Sequence, residues 1–277
     1  MWEVLLFWIA TALYAVSSVL YTAGFVFGWR KGPDLATWLA AVGLLPHLAG
    51  IVVRWIAVGH GPYLNFYEVT ISDTLVAVTI FVFLAWRYPR VRPAGIVVLP
   101  LSFLLIGAGI FSPHEGREVI PIMKSFWLGV HVTFAKLAYG SYLFSFALAI
   151  LRIVKGRQES RQEIYGPMMA RLPSPMVMDD LALKAISFGF VMHSIMIFSG
   201  SIWANEAWGN YWSWEPIETW AFLSWLVYGI VLHLRLVHGW QGNRAAIAAI
   251  ASLVVVIFAF FGVPLVFSDS HAPILGL

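Results

Sequence analysis

A chain of 277 residues that is 60% hydrophobic and only 11% charged has the composition of a membrane protein and not of a soluble domain. The net charge of +3 is no sign of nucleic-acid binding, because the basic residues collect in short loops between apolar runs, where they set orientation. With no cysteine, the chain itself supplies no disulfide, thiolate nucleophile or thiolate metal ligand, so any metal must rely on histidine, methionine or carboxylate.

The apolar runs are about twenty residues long and continuous, which predicts spanning helices and not the short alternating strands of a barrel. The start, MWEVLLFW, has no basic n-region and no small-residue cleavage site, and reads as a retained first helix. Spans are predicted over residues 4–28, 35–58, 69–86, 94–111, 128–154, 183–203, 217–237 and 245–267. The fold class is therefore an all-α integral membrane protein of eight transmembrane helices. It forms one transmembrane domain over 1–277, with a polar loop at 155–182 and a tryptophan-rich loop at 203–220.

Eight spans put both termini on one side. Thirteen of the 17 basic residues, from Arg30 and Lys31 to Arg235 and Arg244, fall in or beside the loops after spans one, three, five and seven. The opposite loops hold only Arg117 and Lys124. The positive-inside rule then makes the first set cytoplasmic, and makes both termini and the tryptophan loop external; the expected location is a cell's inner membrane.

Trp203 to Trp220 reads WANEAWGNYWSWEPIETW: five tryptophans, with Glu206, Glu215 and Glu218 and no Lys or Arg. One reading is interfacial anchoring, for which membrane proteins use aromatic belts. The other is a platform, in which Trp203, Trp208, Trp212, Trp214 and Trp220, with Glu215, wall a site for a large planar ligand. Indoles offer wide contact area and few rotamers. Composition leaves both open.

Of eight histidines, His131 opens span five and His271 lies just beyond span eight, both at the tryptophan-loop side. Two neutral imidazoles on one face are suited to the axial positions of a haem iron. Each taken alone reads first as an interfacial polar residue; the shared side with the aromatic platform brings the ligand reading level with that one. His233 lies about 24 Å below the start of span seven at 1.5 Å per residue, too deep to serve that face. It is a candidate inner ligand or an interface residue beside Arg235. His47 and His193 are mid-span and are expected to hydrogen-bond across helices. His60 and His114 fall in loops, and His238 at the inner interface. Arg54 and Glu68 flank one external loop, where they pair with each other, snorkel, or offer Arg54 to an anionic ligand. Lys136 and Asp73 must face protein or water, since facing lipid is costly.

The stretch WGNYWSWEPIETWAFLSWLVYGIVLHLR resembles the tryptophan-rich WWD signature of haem-handling proteins of the CcsA/ResC type, a component of the System II cytochrome c synthase. The resemblance extends to RWIAVGHGPYLNFYE, to SFWLGVHVTFAKLAYGSY and to AAIAAIASLVVVIFAFFGVPLVFSDSH, and so covers most of the chain. Glu215 stands where the family usually has aspartate, Ile217 where it has lysine and Pro264 where it has asparagine.

The resemblance implies a subunit of a holocytochrome c synthase, or haem lyase. With a CcsB/ResB-type membrane partner it would bring haem b to the outer face. There it would present the haem for thioether attachment to the CxxCH motif of apocytochrome c, with thiol-reducing proteins supplying reduced cysteines. By the same resemblance His131 and His271 match the external axial ligands, and His233 matches an inner ligand whose counterpart lies in the partner. No catalytic residue is assigned. Two rivals are a haem-binding delivery or regulatory protein without ligation activity, and a transporter of another hydrophobic molecule.

Overall fold

The structure is a computed structural model, and it describes residues 2–112, 121–160, 170 and 172–267. His114 and His271 lie outside the described residues. Eight helical segments are each long and apolar enough to cross a membrane, built on α1 (Trp2–Val26), α2 (Gly32–Val58), α3 (Phe66–Arg87), α4 (Gly95–Phe111), α5 (Phe126–Ser160), α6 (Pro175–Trp208), α7 (Pro216–Leu236) and α8 (Asn243–Ile257), with adjoining turns completing the spans of α4 and α8. A 3₁₀ turn (Pro89–Ala94) precedes α4. A π turn (Phe258–Gly262) and a last turn (Val263–Val266) prolong α8. The described residues contain no strand, and the protein is a multi-pass all-α membrane protein.

Local chemistry sets the helix ends. Asn65 caps α3 by accepting a hydrogen bond from the Glu68 amide at 2.8 Å, and Ser174 caps α6 with Pro175 in its first turn, both favoured arrangements. The helices reach further into the tryptophan stretch than the apolar runs predict. Gly209, at φ 78°, closes α6 in the left-handed conformation that glycine adopts without penalty, and Pro216 opens α7. The irregular segment shrinks to residues 209–215. Likewise α5 runs on to Ser160 and α6 starts at Pro175, which shortens the predicted 155–182 loop.

The helices form two groups of four. In the first, α1 packs along α2 and α4, and α3 packs between α2 and α4. Its core holds Phe7, Tyr14, Tyr21, Phe81, Leu99 and Ile106. In the second, α5 packs most extensively on α6 and also on α8, and α7 contacts α6 and α8. Tyr142, Ile186, Tyr228 and Leu253 fill that core. Helix α5 joins the groups, since it also packs on α3 and α4.

Lipid tails are as apolar as leucine, so close packing and cross-helix hydrogen bonds hold such a bundle rather than the hydrophobic effect. Both groups use glycine to admit an aromatic ring. A Cβ on Gly50 would stand 2.5 Å from the Phe7 ring, and one on Gly189 would stand 2.5 Å from the Tyr142 ring. In the second core, Tyr142 and Tyr228 stack with centroids 3.6 Å apart at 5°. Outward faces carry exposed apolar side chains such as Leu45, Ile56, Phe83 and Phe198, as lipid contact requires.

The polar interior forms pairs. Arg54 on α2 bonds Glu3 on α1 at 3.2 Å and Glu68 on α3 at 3.1 Å. The second oxygen of Glu68 accepts the Leu64 amide at 3.1 Å. Of the readings open for Arg54, the structure thus shows the pair with Glu68 and not snorkelling, and the pair fixes the 59–65 loop. At the other end of the molecule several basic residues are tied down. Arg92 pairs with Asp34, Arg152 bonds Asn243, and Arg235 donates to the Asp179 carbonyl at 2.7 Å.

Candidate functional site

At the tryptophan-loop end, α5, α6, α7 and the π turn after α8 diverge around a cavity of about 210 Å³, closed on one side by Tyr63 and by Val69 and Asp73 of α3. Leu128, Val132, Ala135, Met196, Ile197, Ala221 and Phe260 make most of the wall apolar. Trp203, Trp208, Tyr211 and Trp212 add aromatic faces. The polar lining includes His131, Lys136, Asp73, Tyr139 and Glu218.

His131 sits in the second turn of α5 and leans on α6. Its Nδ1 donates to the Met196 carbonyl at 2.8 Å. A carbonyl can only accept, so the proton is on Nδ1, and in the neutral ring Nε2 carries the lone pair. Metal-binding histidines commonly donate their other ring N–H to a carbonyl in this way, which fixes tautomer and ring plane together. The close approach depends on Gly200, where a Cβ would stand 2.5 Å from His131 Nδ1.

The tryptophan wall is held from behind. The indole N–H of Trp203 donates to the Ile122 carbonyl at 2.9 Å, and Trp203 meets Trp208 edge-on at 5.1 Å. Ser125 donates to Glu206 at 2.6 Å. These contacts fasten the segment before α5 to the end of α6. Glu218 reaches back to accept the Ser213 amide at 2.9 Å, which orders the 209–215 loop. Trp212 packs on Trp214 and Phe222. Its indole N–H is shielded from solvent and has no hydrogen-bond partner among the described residues. A buried donor left unmet costs about 1–3 kcal/mol, and an acceptor on a ligand in this cavity would relieve it. On the opposite wall, burial and the Glu68 charge push the Tyr63 phenol above its ordinary pKa.

A tautomer-fixed imidazole, apolar aromatic walls and an unmet donor fit a planar apolar ligand with a metal at its centre. Among the described residues no three His, Asp or Glu side chains cluster as a bare metal-ion site.

Residues 63–271 match the cytochrome c assembly protein family. The chain is 34% identical to the cytochrome c biogenesis protein CcsA of Prochlorococcus marinus (strain NATL1A), over 86% of this chain and 84% of that one. It is 32% identical to CcsA of Synechococcus sp. (strain CC9311), over 94% and 95% of the two chains. The chain belongs to the CcsA-type cytochrome c assembly family. Its fold is also that of the cytochrome c haem lyase CcmF, at TM-score 0.70 and 17% identity over 99% of this chain, which spans about half (48%) of the CcmF chain.

Of the residues singled out in this CcsA-type chain, His131, Trp203, Trp208 and Trp212 converge on the cavity. Trp214, Glu215 and Trp220 are not in its lining. Trp214 is 67% exposed and holds a left-handed φ of 60°, which costs a bulky residue on the order of 1–2 kcal/mol. Glu215 is the N-cap residue of α7. Trp220 packs edge-on against Phe258 at 4.7 Å. His271 lies outside the described residues. His233 is on the exposed side of α7 at the opposite end, edge-on to His238 at 5.3 Å.

Arg54 is absent from the lining because its two carboxylates hold it within the first helix group. His47 and His193 are cross-helix hydrogen-bonding groups as expected: His47 contacts Tyr14 at 3.1 Å and the Ile71 carbonyl at 3.0 Å, and His193 contacts Tyr142 at 3.4 Å. Sequence reasoning missed the Met196 carbonyl, Gly200, Tyr63 and Tyr139, whose roles depend on how α5, α6 and the 59–65 loop register against one another.

Proposed function

We propose that this protein holds haem b in the α5–α6–α7 cavity and presents it for attachment to an apocytochrome c. The carrying observation is the His131 Nδ1 bond to the Met196 carbonyl, which directs a lone pair from Nε2 within an indole-walled cavity. His271 is the proposed second axial ligand. Trp203, Trp208 and Trp212 shield the ring, while Trp214, Glu215 and Trp220 form the outer frame around the 209–215 loop. The tryptophan-loop end faces outward from the inner membrane in this reading, in keeping with the basic residues at the other end.

The chemistry is addition of each cysteine S–H across a haem vinyl group, so atoms and electrons balance without an oxidant. The protein's share is to shield an insoluble disc, fill both axial positions and leave one edge open to the CxxCH segment. It has no cysteine of its own, so the thiols come from the apocytochrome, kept reduced by other proteins. His233, on an exposed helix face, is available to a CcsB/ResB-type subunit carrying the opposing ligand of an inner haem site.

The test is an absorption spectrum of the purified protein expressed with ample haem. A bis-histidine spectrum is expected, with His131→Ala or His271→Ala losing most of the bound haem or changing its spectrum. Unchanged spectra in both variants overturn the assignment. Haem binding without support of cytochrome c maturation alongside the CcsB-type partner marks a delivery or regulatory protein instead. Absence of a Soret band marks a transporter of something else.

A further inference from the structure

Lys136 of α5 and Asp73 of α3 meet at 2.8 Å in the lining of the cavity. Both lie within spanning helices, where an ionisable pair marks function by default. Among the described residues, every other buried cation has several partners or lies far from the cavity. The Lys155 ammonium donates to two carbonyls, those of Leu172 at 2.8 Å and Pro173 at 3.0 Å. Arg54 is shared by two carboxylates. Lys136 has three donors and, among the described residues, gives one hydrogen bond, to Asp73 Oδ1.

The pair is also open to the cavity rather than sealed between helices. The lining contains Lys136 as its only ammonium or guanidinium group among the described residues, and its other carboxylate, Glu218, is committed to Ser213.

We infer that Lys136 is the anion subsite of this cavity, taking a carboxylate arm of the bound tetrapyrrole, with Asp73 balancing its charge while the cavity is empty. This rests on the haem reading above. Placement agrees with it. Lys136 is five residues beyond His131, about 7.5 Å along the helix axis at 1.5 Å per residue, plus the reach of its own side chain. A metal bound at His131 would leave the ring edge, and the acid arms on it, at that level of the cavity. A carboxylate entering an apolar, membrane-embedded cavity needs a cation with spare donors. Lys136 would then bridge two carboxylates, as Arg54 already does between Glu3 and Glu68. The pair thereby orients the disc, acid edge inward beside α3 and vinyl edge toward the tryptophan loop.

The experiment compares binding of iron protoporphyrin and of its dimethyl ester, which lacks both charges, by quenching of tryptophan fluorescence in detergent. Wild type is expected to favour the free acid by about tenfold or more, the usual weight of a hydrogen bond to a charged group. Lys136→Met combined with Asp73→Asn removes both charges together, so no lone buried ion is left. It should reduce acid binding to the level of the ester while ester binding stays unchanged, and Lys136→Arg should keep the preference.

Asp73→Asn alone, which frees the ammonium from its competitor, should bind the acid more tightly. It decides the matter even if the double variant fails to fold, since no gain there overturns the assignment. Equal loss of both ligands in the double variant, or an unaltered preference, also overturns it. Wild type binding both porphyrins equally overturns this inference alone, whereas wild type binding neither overturns the haem reading as well.

Discussion

The two helix groups use the same polar parts to opposite ends. Each buries a mid-helix histidine against a tyrosine, His47 with Tyr14 and His193 with Tyr142. Each also buries a basic residue against a carboxylate: Arg54 of the first group bonds Glu3 and Glu68 of that group, and Lys136 of the second bonds Asp73 of α3 across the junction. In the first group the partners are several: both nitrogens of His47 are bonded and Arg54 spans two acids. In the second they are sparse. The contact between Tyr142 and His193 is long, at 3.4 Å, and His193 Nε2 forms no well-made hydrogen bond, while Lys136 keeps spare donors beside a cavity. Polar groups with several partners hold a scaffold, and a sparsely partnered charge that lines a cavity at membrane depth marks where a ligand is received.

The largest effect expected from this contrast is on the first group. Arg54→Met strands Glu3 and Glu68 as buried charges, a loss of about 3–5 kcal/mol. It should depress the thermal midpoint in detergent and the yield in membranes. It should also release the 59–65 loop that carries Tyr63. An Arg54→Met variant with the wild-type midpoint would show that this network is not scaffold. Next comes His47→Phe, which leaves the Tyr14 hydroxyl unpaired at about 1–3 kcal/mol and should leave any bound-haem spectrum unaltered. His131→Ala should do the reverse, with little change in midpoint and a changed spectrum. A spectral change from His47→Phe would blur the division between the halves.

How much of this was legible in the sequence follows from what each feature depends on. The eight spans were, because lipid demands long apolar helices and little else. The Arg54–Glu68 pair was legible only as one option beside snorkelling, since the two flank one short loop but a long side chain at a helix end also reaches the interface. Lys136 and Asp73 could be seen as charges at membrane depth, but α3 and α5 are brought together only by tertiary packing. The helix ends in the tryptophan stretch were misjudged because Gly209 and Pro216 set them, and indoles are tolerated in a helix as well as in a loop. For the same reason the five tryptophans read as one wall, whereas Trp220 falls on the α7 face that meets Phe258. His131 was visible as a residue; its orientation was not, because that depends on a backbone carbonyl and a missing Cβ one helix away.

That missing Cβ gives the smallest and sharpest prediction. Gly200→Ala adds one methyl group on a helix, where alanine is otherwise favoured over glycine by about 1 kcal/mol. The added carbon would sit 2.5 Å from His131 Nδ1, so the ring must turn or α5 must shift outward. Overpacking costs about 1–3 kcal/mol, which the helix preference partly offsets, so the thermal midpoint should hardly move. The ring, however, loses its bond to the Met196 carbonyl, and with it the fixed tautomer and direction of Nε2. Disturbing a partner that orients a metal-bound histidine lowers affinity about 10–100-fold. Gly200→Ala should therefore weaken haem binding while Gly189→Ala, the matching packing glycine against Tyr142, lowers stability and leaves the spectrum of the folded fraction alone. If the two substitutions act alike on both measurements, the second helix group is as much plain scaffold as the first.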